Sequence, residues 1–263
     1  MLRSMYAGIS GMKGFQTKLD VIGNNIANVN TSGFKKGRVT FQDMMSQTTS
    51  GAQGPTETRG GTNPAQVGLG SQLGSIDNIH TQGFRQTTNN PLDLALEGDG
   101  MFVLQDEDTT YFTRAGNFYL DDEDRIVNPD GHFLLGVDNQ PIQIPSTARS
   151  FNIEENGTVN IVNEEGNPED VGQIALASFS NPSGLEKAGS NLFLASQNAE
   201  YTGSVVPGTN GTGSIVSGSL EMSNVDLSEE FTEMITAQRG FQANTRIITT
   251  SDEILQELVN LKR

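Results

Sequence analysis

The chain has 263 residues, 34% of them hydrophobic, with 30 glycines, no cysteine, no tryptophan and a net charge of −16. That length allows one large domain or two to three small ones, and that composition supports modest cores rather than one large dry core. It excludes disulfides, thiolate chemistry and zinc–sulfur sites, and it contains no apolar run long enough to cross a membrane as a helix.

The charge is unevenly spread. Residues 1–38 carry a net +5, residues 39–223 a net −18 and residues 224–263 a net −3. An acidic body keeps the chain soluble and repels phosphate. The basic residues of the N-terminal segment are not interleaved with aromatics, so nucleic acid is not an expected partner. Pairing with the mildly acidic C-terminal segment is the better use of that positive charge. The opening Met1 to Ser10 has neither an uninterrupted apolar stretch nor a cleavage pattern, so no secretory signal peptide is expected.

In chain order, residues 1–29 read as a helix. Leu2, Met5, Ile9, Met12, Gln16, Leu19, Gly23 and Ile26 recur at alternating spacings of three and four, with Ile22 beside them. This is a heptad seam with polar interruptions. Gly8, Gly11, Gly14 and Gly23 each cost about 1 kcal/mol against alanine in a helix interior, so the helix is marginal until packed. Gly33 is a natural left-handed terminator after Asn24–Asn30. Val39 to Phe41 reads as a short extended stretch. Residues 46–75, rich in Gly, Thr, Gln and Ser, show no period and read as an extended arm.

From about Ile76 to Tyr201 the signals are β. Short apolar segments recur at Leu92–Leu96, Met101–Leu104, Tyr111–Arg114, Asn117–Leu120, His132–Leu135 and Ile174–Phe179. Asn156-Gly157 between Phe151–Ile153 and Val159–Ile161 predicts a two-residue hairpin loop. Residues 202–219 turn Gly/Ser/Thr-rich again. Asp226-Leu227-Ser228-Glu229 fits a capping box, so a second helix starts near Leu227. It carries Leu227, Phe231, Met234, Gln238, Phe241, Thr245, Ile248, Asp252, Leu255, Val259 and Lys262 in the same alternating spacing. Ile235, Ile247, Ile254, Leu258 and Leu261 widen its apolar face beyond what one partner helix covers.

These readings predict an α+β chain. A discontinuous helical coiled-coil domain is expected from residues 1–30 and 224–263. A linker or arm region is expected at 31–75 and 202–223, and a mostly antiparallel β-domain at 76–201. The predicted assembly interface comprises Leu2, Met5, Ile9, Met12, Leu19, Ile22, Ile26, Leu227, Phe231, Met234, Ile235, Phe241, Ile248, Leu255 and Leu258.

No catalytic constellation stands out, and no catalytic, cofactor or metal residue is assigned. His80 and His132 are far apart in sequence and read as structural. Asp121 to Asp124, followed by Asp130, offers oxygen ligands for calcium but lacks the EF-hand spacing. A solvated hairpin tip explains the cluster as well. Gly68 to Gly74 has the wrong glycine spacing for a dinucleotide site. Two other classes remain on the list: a secreted cell-wall hydrolase using carboxylates of the β-domain, and a calcium-dependent adhesin.

Leu19-Asp20-Val21-Ile22-Gly23-Asn24-Asn25-Ile26-Ala27-Asn28, followed by Thr31-Ser32-Gly33-Phe34-Lys35, resembles the N-terminal motif of bacterial flagellar rod and hook proteins. Ser223 to Leu227, Met234-Ile235 and Ala237 to Gln242 are similar to the family's C-terminal motif, which Thr250, Asp252, Leu255 and Leu258 continue. Asp93 to Phe102 and Thr113 to Phe118 are similar to its inner β-domain signatures.

The resemblance implies a structural, non-enzymatic subunit of the flagellum. Its terminal helices would form a helical homo-oligomeric tube around an export channel, with the β-domain outside. It implies export unfolded through the flagellar type III apparatus and assembly beneath a cap. The hook cap protein, the distal rod protein and the hook–filament junction protein are then expected partners. The first and last residues, Met1 to Tyr6 and Leu258 to Arg263, look most like short hook proteins of Gram-positive bacteria. The expectation is therefore a hook subunit, the curved joint that transmits torque. The length and the long segment after Met45 resemble the distal rod protein, which is the alternative.

Overall fold

The computed structural model describes residues 2–107, 109–145, 148–163 and 166–261. Met1, Lys262, Arg263 and the side chain of Leu2 lie outside that description, and with them those parts of the predicted seam and termini. The chain is α+β, with a helix at each end and mostly antiparallel strands between. It divides into two compact units, one of residues 1–27, 37–77 and 226–263, the other of residues 28–36 and 78–225.

The first unit is built on helix α1 (Leu2–Ala27) and helix α2 (Leu227–Leu261). They run antiparallel. Along the pair, Gly8 lies against Ile248, Gly11 against Asn244 and Gly240 against the Phe15 ring. Lys18 Nζ lies 3.0 Å from Glu233 Oε2, and Asn25 Nδ2 donates to Glu230 Oε2 at 3.2 Å. The predicted cap is in place: Asp226 Oδ1 accepts from Ser228 N at 2.8 Å and from Glu229 N at 3.4 Å.

Part of residues 31–75, expected as an extended linker or arm, is strand. Gly37–Asp43 pairs with Ser71–Asn78, and Ser46–Ser50 pairs antiparallel with Ala65–Gly68. The second pair is exposed at every position, and its sequence has no apolar alternation. Backbone hydrogen bonds and one from Gln66 Nε2 to Thr48 Oγ1 join it, which is why hydropathy could not reveal it. The first pair docks through Phe41, whose ring stands 5.9 Å from Phe15 and fills the space above Gly14.

The second unit centres on a sheet of nine strands. Its path runs Glu186–Gly189, Leu192–Leu194, Thr109–Thr113, Met101–Asp106, Phe133–Leu134, Ile126–Val127 and Tyr119–Leu120. Leu176–Phe179 also pairs with Met101–Asp106, and Tyr201–Val205 pairs with Leu176–Phe179. The apolar run Met101–Leu104 is buried on both faces. Phe102 and Leu104 enter one core with Leu94, Phe118, Leu134, Ile174 and Ile215, while Met101 and Val103 enter another with Phe112, Ala175, Ala177 and Phe193. Period-two alternation thus distributes one strand between two cores.

The Asn156-Gly157 hairpin forms with Phe151 opposite Ile161 and Ile153 opposite Val159. Its loop holds three residues rather than two: Glu154 N still donates to Thr158 O, and Gly157 sits at φ +82°. The stretch expected as a second linker is part of this unit. Ser214–Ser217 pairs with Leu94–Glu97, and Ser219–Glu221 pairs with Arg85–Thr87. Ile215 is its one large apolar side chain in the core, at 1% exposure, too sparse a signal to read as a strand. Gly33 takes φ +71°, as its position after α1 suggested, with the helix ending earlier, at Ala27.

Candidate assembly interface

Small and polar side chains take part in the contact between α1 and α2 alongside seam members such as Ile248 and Met12. A Cβ at Gly8 would stand 3.2 Å from Ile248 Cγ1, one at Gly11 2.9 Å from Asn244 Nδ2, and one at Gly240 2.6 Å from the Phe15 ring. Ala237 and Ser251 are buried in the same contact region of α2. The glycines set the spacing of the helices, so their cost in helix propensity is offset by close approach. A count of apolar heptads missed these residues. Glycine at 8 and 11 of the first helix and at 240 of the second was the signal that could have found them.

The predicted seam residues divide into two groups. Ile22 is buried, and Met5, Met12, Leu19, Ile26, Met234, Phe241, Ile248 and Leu255 are half-buried within the chain. Ile9, Leu227, Phe231, Ile235 and Leu258 remain exposed at 40–52%. Tyr6, Ile247, Ile254, Val259 and Leu261 join them on the surface. A two-helix unit that leaves this many large apolar side chains in water has an uncovered face of the kind that marks an interaction surface.

The second unit holds a buried charge cluster that the sequence reading did not anticipate. Lys35 Nζ lies 2.6 Å from Glu221 Oε1, with both side chains at 0% exposure. Lys35 also donates to Thr81 O at 2.8 Å, and Gly83 N donates to Glu221 Oε1 at 2.9 Å. Arg114 Nη1 lies 3.3 Å from Glu221 Oε2. Burial pushes the Lys35 ammonium below its usual range, and Glu221 pulls the other way. The arrangement ties the segments around residues 35, 81–83, 114 and 221 to one carboxylate. The clasp is structural, and its Arg114 also lines a cavity of about 290 Å³ together with His80 and Asp99.

The two histidines and the acidic cluster meet neighbours within the second unit. The His80 ring lies tilted by 58° against Phe193, at 5.6 Å between ring centroids, and neither of its buried nitrogens has a hydrogen-bond partner. Desolvation, followed by the charges of Lys35, Arg114 and Lys187, lowers its pKa to about 4. His132 stacks on Tyr111 at 5.3 Å, with Nδ1 3.7 Å from Asp106 Oδ2. Asp121 and Glu123 both pair with Arg125 at a hairpin tip. Among the described residues no group of three His, Asp or Glu side chains could hold a metal ion, and no helix is long and apolar enough to cross a membrane.

Antiparallel terminal helices with an uncovered apolar face, joined to an inserted β-unit, are the layout of a structural subunit. Three family profiles match the chain. They are "Flagella basal body rod protein" over residues 5–35, "Flagellar hook protein FlgE/F/G D1 domain" over residues 95–161 and "Flagellar basal body rod FlgEFG protein C-terminal" over residues 216–261. The flagellar basal-body rod protein FlgG of Bacillus subtilis is 59% identical, with 100% of both chains covered. FlgG of Caulobacter vibrioides is 40% identical over 99% of this chain and 100% of its own. The flagellar hook protein FlgE of Borreliella burgdorferi is 32% identical with both chains covered in full. The chain belongs to the flagellar rod and hook protein family, and is a structural component of the flagellum.

Proposed function

We propose that the chain is a subunit of the flagellar distal rod, the straight drive shaft of the basal body, and that it polymerises through the uncovered faces of α1 and α2. The expectation of a hook subunit gives way to this reading. The observation that carries the choice is length: rod relatives align over 264 and 266 positions, this chain's own size, whereas the hook relative needs 441. That hook protein carries long segments that have no counterpart here. In the polymer, apolar side chains exposed on the free helices are withdrawn from water, at about 25 cal/mol for each Å² buried. The acidic outer β-unit keeps neighbouring copies weakly bound to one another there. Export through the flagellar type III apparatus, growth under a cap and a hook seated on the finished rod belong to the same reading.

The test is deletion of the gene followed by electron microscopy of basal bodies. A shortened rod with no hook supports the distal rod. A complete rod with no hook returns the chain to the hook, and a complete rod with hook and filament removes it from both roles.

A further inference from the structure

The cavity beside the buried clasp gathers unsatisfied polar atoms. Among the described residues, seven buried side-chain atoms lack a hydrogen-bond partner, and four of them are Nδ1 and Nε2 of His80, Nη1 of Arg114 and Oε2 of Glu221. Arg114 Nη1 and Glu221 Oε2 still face one another at 3.3 Å, whereas neither His80 nitrogen bonds to a group of the chain. A buried polar group left unpaired costs free energy, and a bound ion, molecule or water is one way a native fold satisfies it. His80 and Arg114 line the same cavity of about 290 Å³.

The charges set the sign of what fits there. Lys35, Arg114 and Lys187 all act on His80. Glu221 pairs with the first two, and Asp99 acts on both as well. Three cations against two carboxylates leave one positive charge. Arg114 is 3% exposed and the His80 nitrogens are buried, while Asp99 is exposed. The cationic end of the cavity is therefore the buried one. One monoanion balances it, whereas a dianion exceeds the charge and meets Asp99. The size argues against a halide. A single water needs about 10–15 Å³ of such space, so this cavity takes a ligand of several non-hydrogen atoms. Met101, Phe179 and Pro182 give it an apolar wall.

We propose that this cavity is a binding site for a small organic monocarboxylate. The carboxylate lies at the buried end and accepts hydrogen bonds from Arg114 Nη1 and from the N–H of the His80 ring. The short apolar body of the ligand lies along Met101, Phe179 and Pro182. Hydrogen bonds to an ionised acceptor are the strong ones. A ligand held this way ties the segments around residues 80, 101, 114 and 179–182 together, so occupancy stabilises the second unit. The site lies wholly within that unit and does not depend on which part of the flagellum the chain builds.

The experiment titrates the purified full-length chain with sodium acetate and follows thermal unfolding and the His80 ring nitrogens by heteronuclear NMR. Acetamide, and sodium chloride at the same ionic strength, are the controls. Acetate is expected to raise the Tm saturably and to shift the His80 resonances, and the controls to do neither. His80→Phe is expected to weaken acetate binding by roughly tenfold or more. Ser180→Trp, which fills the cavity from an exposed position, is expected to weaken it while both His80 nitrogens remain. No acetate-specific shift of the His80 signals, an equal response to acetamide, or full acetate affinity in either variant overturns the site. Tighter binding of sulfate than of acetate overturns the choice of a monocarboxylate. Should His80→Phe fail to fold, the NMR titration and Ser180→Trp decide. The gene deletion that separates rod from hook leaves all of these outcomes untouched.

Discussion

Asn25 and Gly37 bond as if they were neighbours in a β-ladder. Asn25 Nδ2 donates to Gly37 O at 2.9 Å, and Gly37 N donates to Asn25 Oδ1 at 3.0 Å. The same amide nitrogen also donates to Glu230 Oε2. One buried side chain of α1 thus ties the first residue of a strand to the first turn of α2. Asn25→Ala leaves three polar groups without this partner and is expected to cost about 2–4 kcal/mol. Asn25→Asp is expected to cost at least as much, because it sets a carboxylate against Glu230 and the Gly37 carbonyl. Denaturant unfolding followed by helical dichroism checks both, and a change under about 0.5 kcal/mol for Asn25→Ala would contradict the ladder-like role.

The Lys35–Glu221–Arg114 clasp gives a second expectation. Removing Glu221 alone leaves two buried cations without their carboxylate, and Glu221→Ala is expected to destabilise the second unit by about 3–5 kcal/mol. Lys35→Met leaves Glu221 its hydrogen bond from Gly83 N and its ion pair with Arg114 and is expected to cost less. Glu221→Gln combined with Lys35→Met should cost less than the sum of its two single changes. Additive costs in a double-mutant cycle would show that the three groups do not act together.

His80 sets a pH dependence. Its folded pKa of about 4 lies below its ordinary 6.5. Between those values the unfolded chain binds the proton and the folded chain does not, so stability rises with pH through that window. The contribution is fully present above about pH 6.5, falls as the pH drops and stops changing below about pH 4, a span of about 3 kcal/mol at most. His80→Phe is expected to flatten the slope of unfolding free energy between pH 6.5 and 4. A slope identical to the wild-type chain's would assign the acid sensitivity to other groups.

The helical termini were legible because their signals are local and redundant: Asp226 caps α2 and the apolar residues repeat at helical spacing. The β-core was legible for a similar reason, since runs such as Met101–Leu104 have only one comfortable environment. The strands at Ser46–Ser50, Ala65–Gly68 and Ser219–Glu221 were not, because their segments are polar and show no hydrophobic alternation. The assembly face was half legible. Apolar spacing names the helices that carry it, but it cannot say which members the chain uses itself. Ile22 and Leu258 belong to the same pattern, yet one is buried at 3% exposure and the other stands 49% exposed.

Gly240→Ala separates packing from propensity. Alanine favours the helix by about 1 kcal/mol, yet its Cβ would stand 2.6–2.9 Å from three atoms of the Phe15 ring. The ring is half-buried and also packs on Phe41, so it has little room to withdraw. The clash is expected to dominate, with a net loss of about 1–2 kcal/mol. A double variant with Phe15→Leu, which removes the ring, should recover part of that loss. A more stable single variant would mean the ring moves aside freely.

The division of the seam residues makes the final prediction specific. Ile248 packs against Gly8, so Ile248→Asp places a carboxylate inside the helix pair and should unfold the first unit as well as stop assembly. Leu258→Asp and Ile254→Asp act at side chains 49% and 44% exposed, where the free subunit can hydrate the charge. Both are expected to leave helicity within about 0.5 kcal/mol of wild-type stability and still to lose rods. The carboxylate would have to be dehydrated only when a neighbouring copy covers it. Normal rods from either variant would show that this end of α2 stays in water in the polymer, and would confine the apolar contact to the Leu227–Ile235 end.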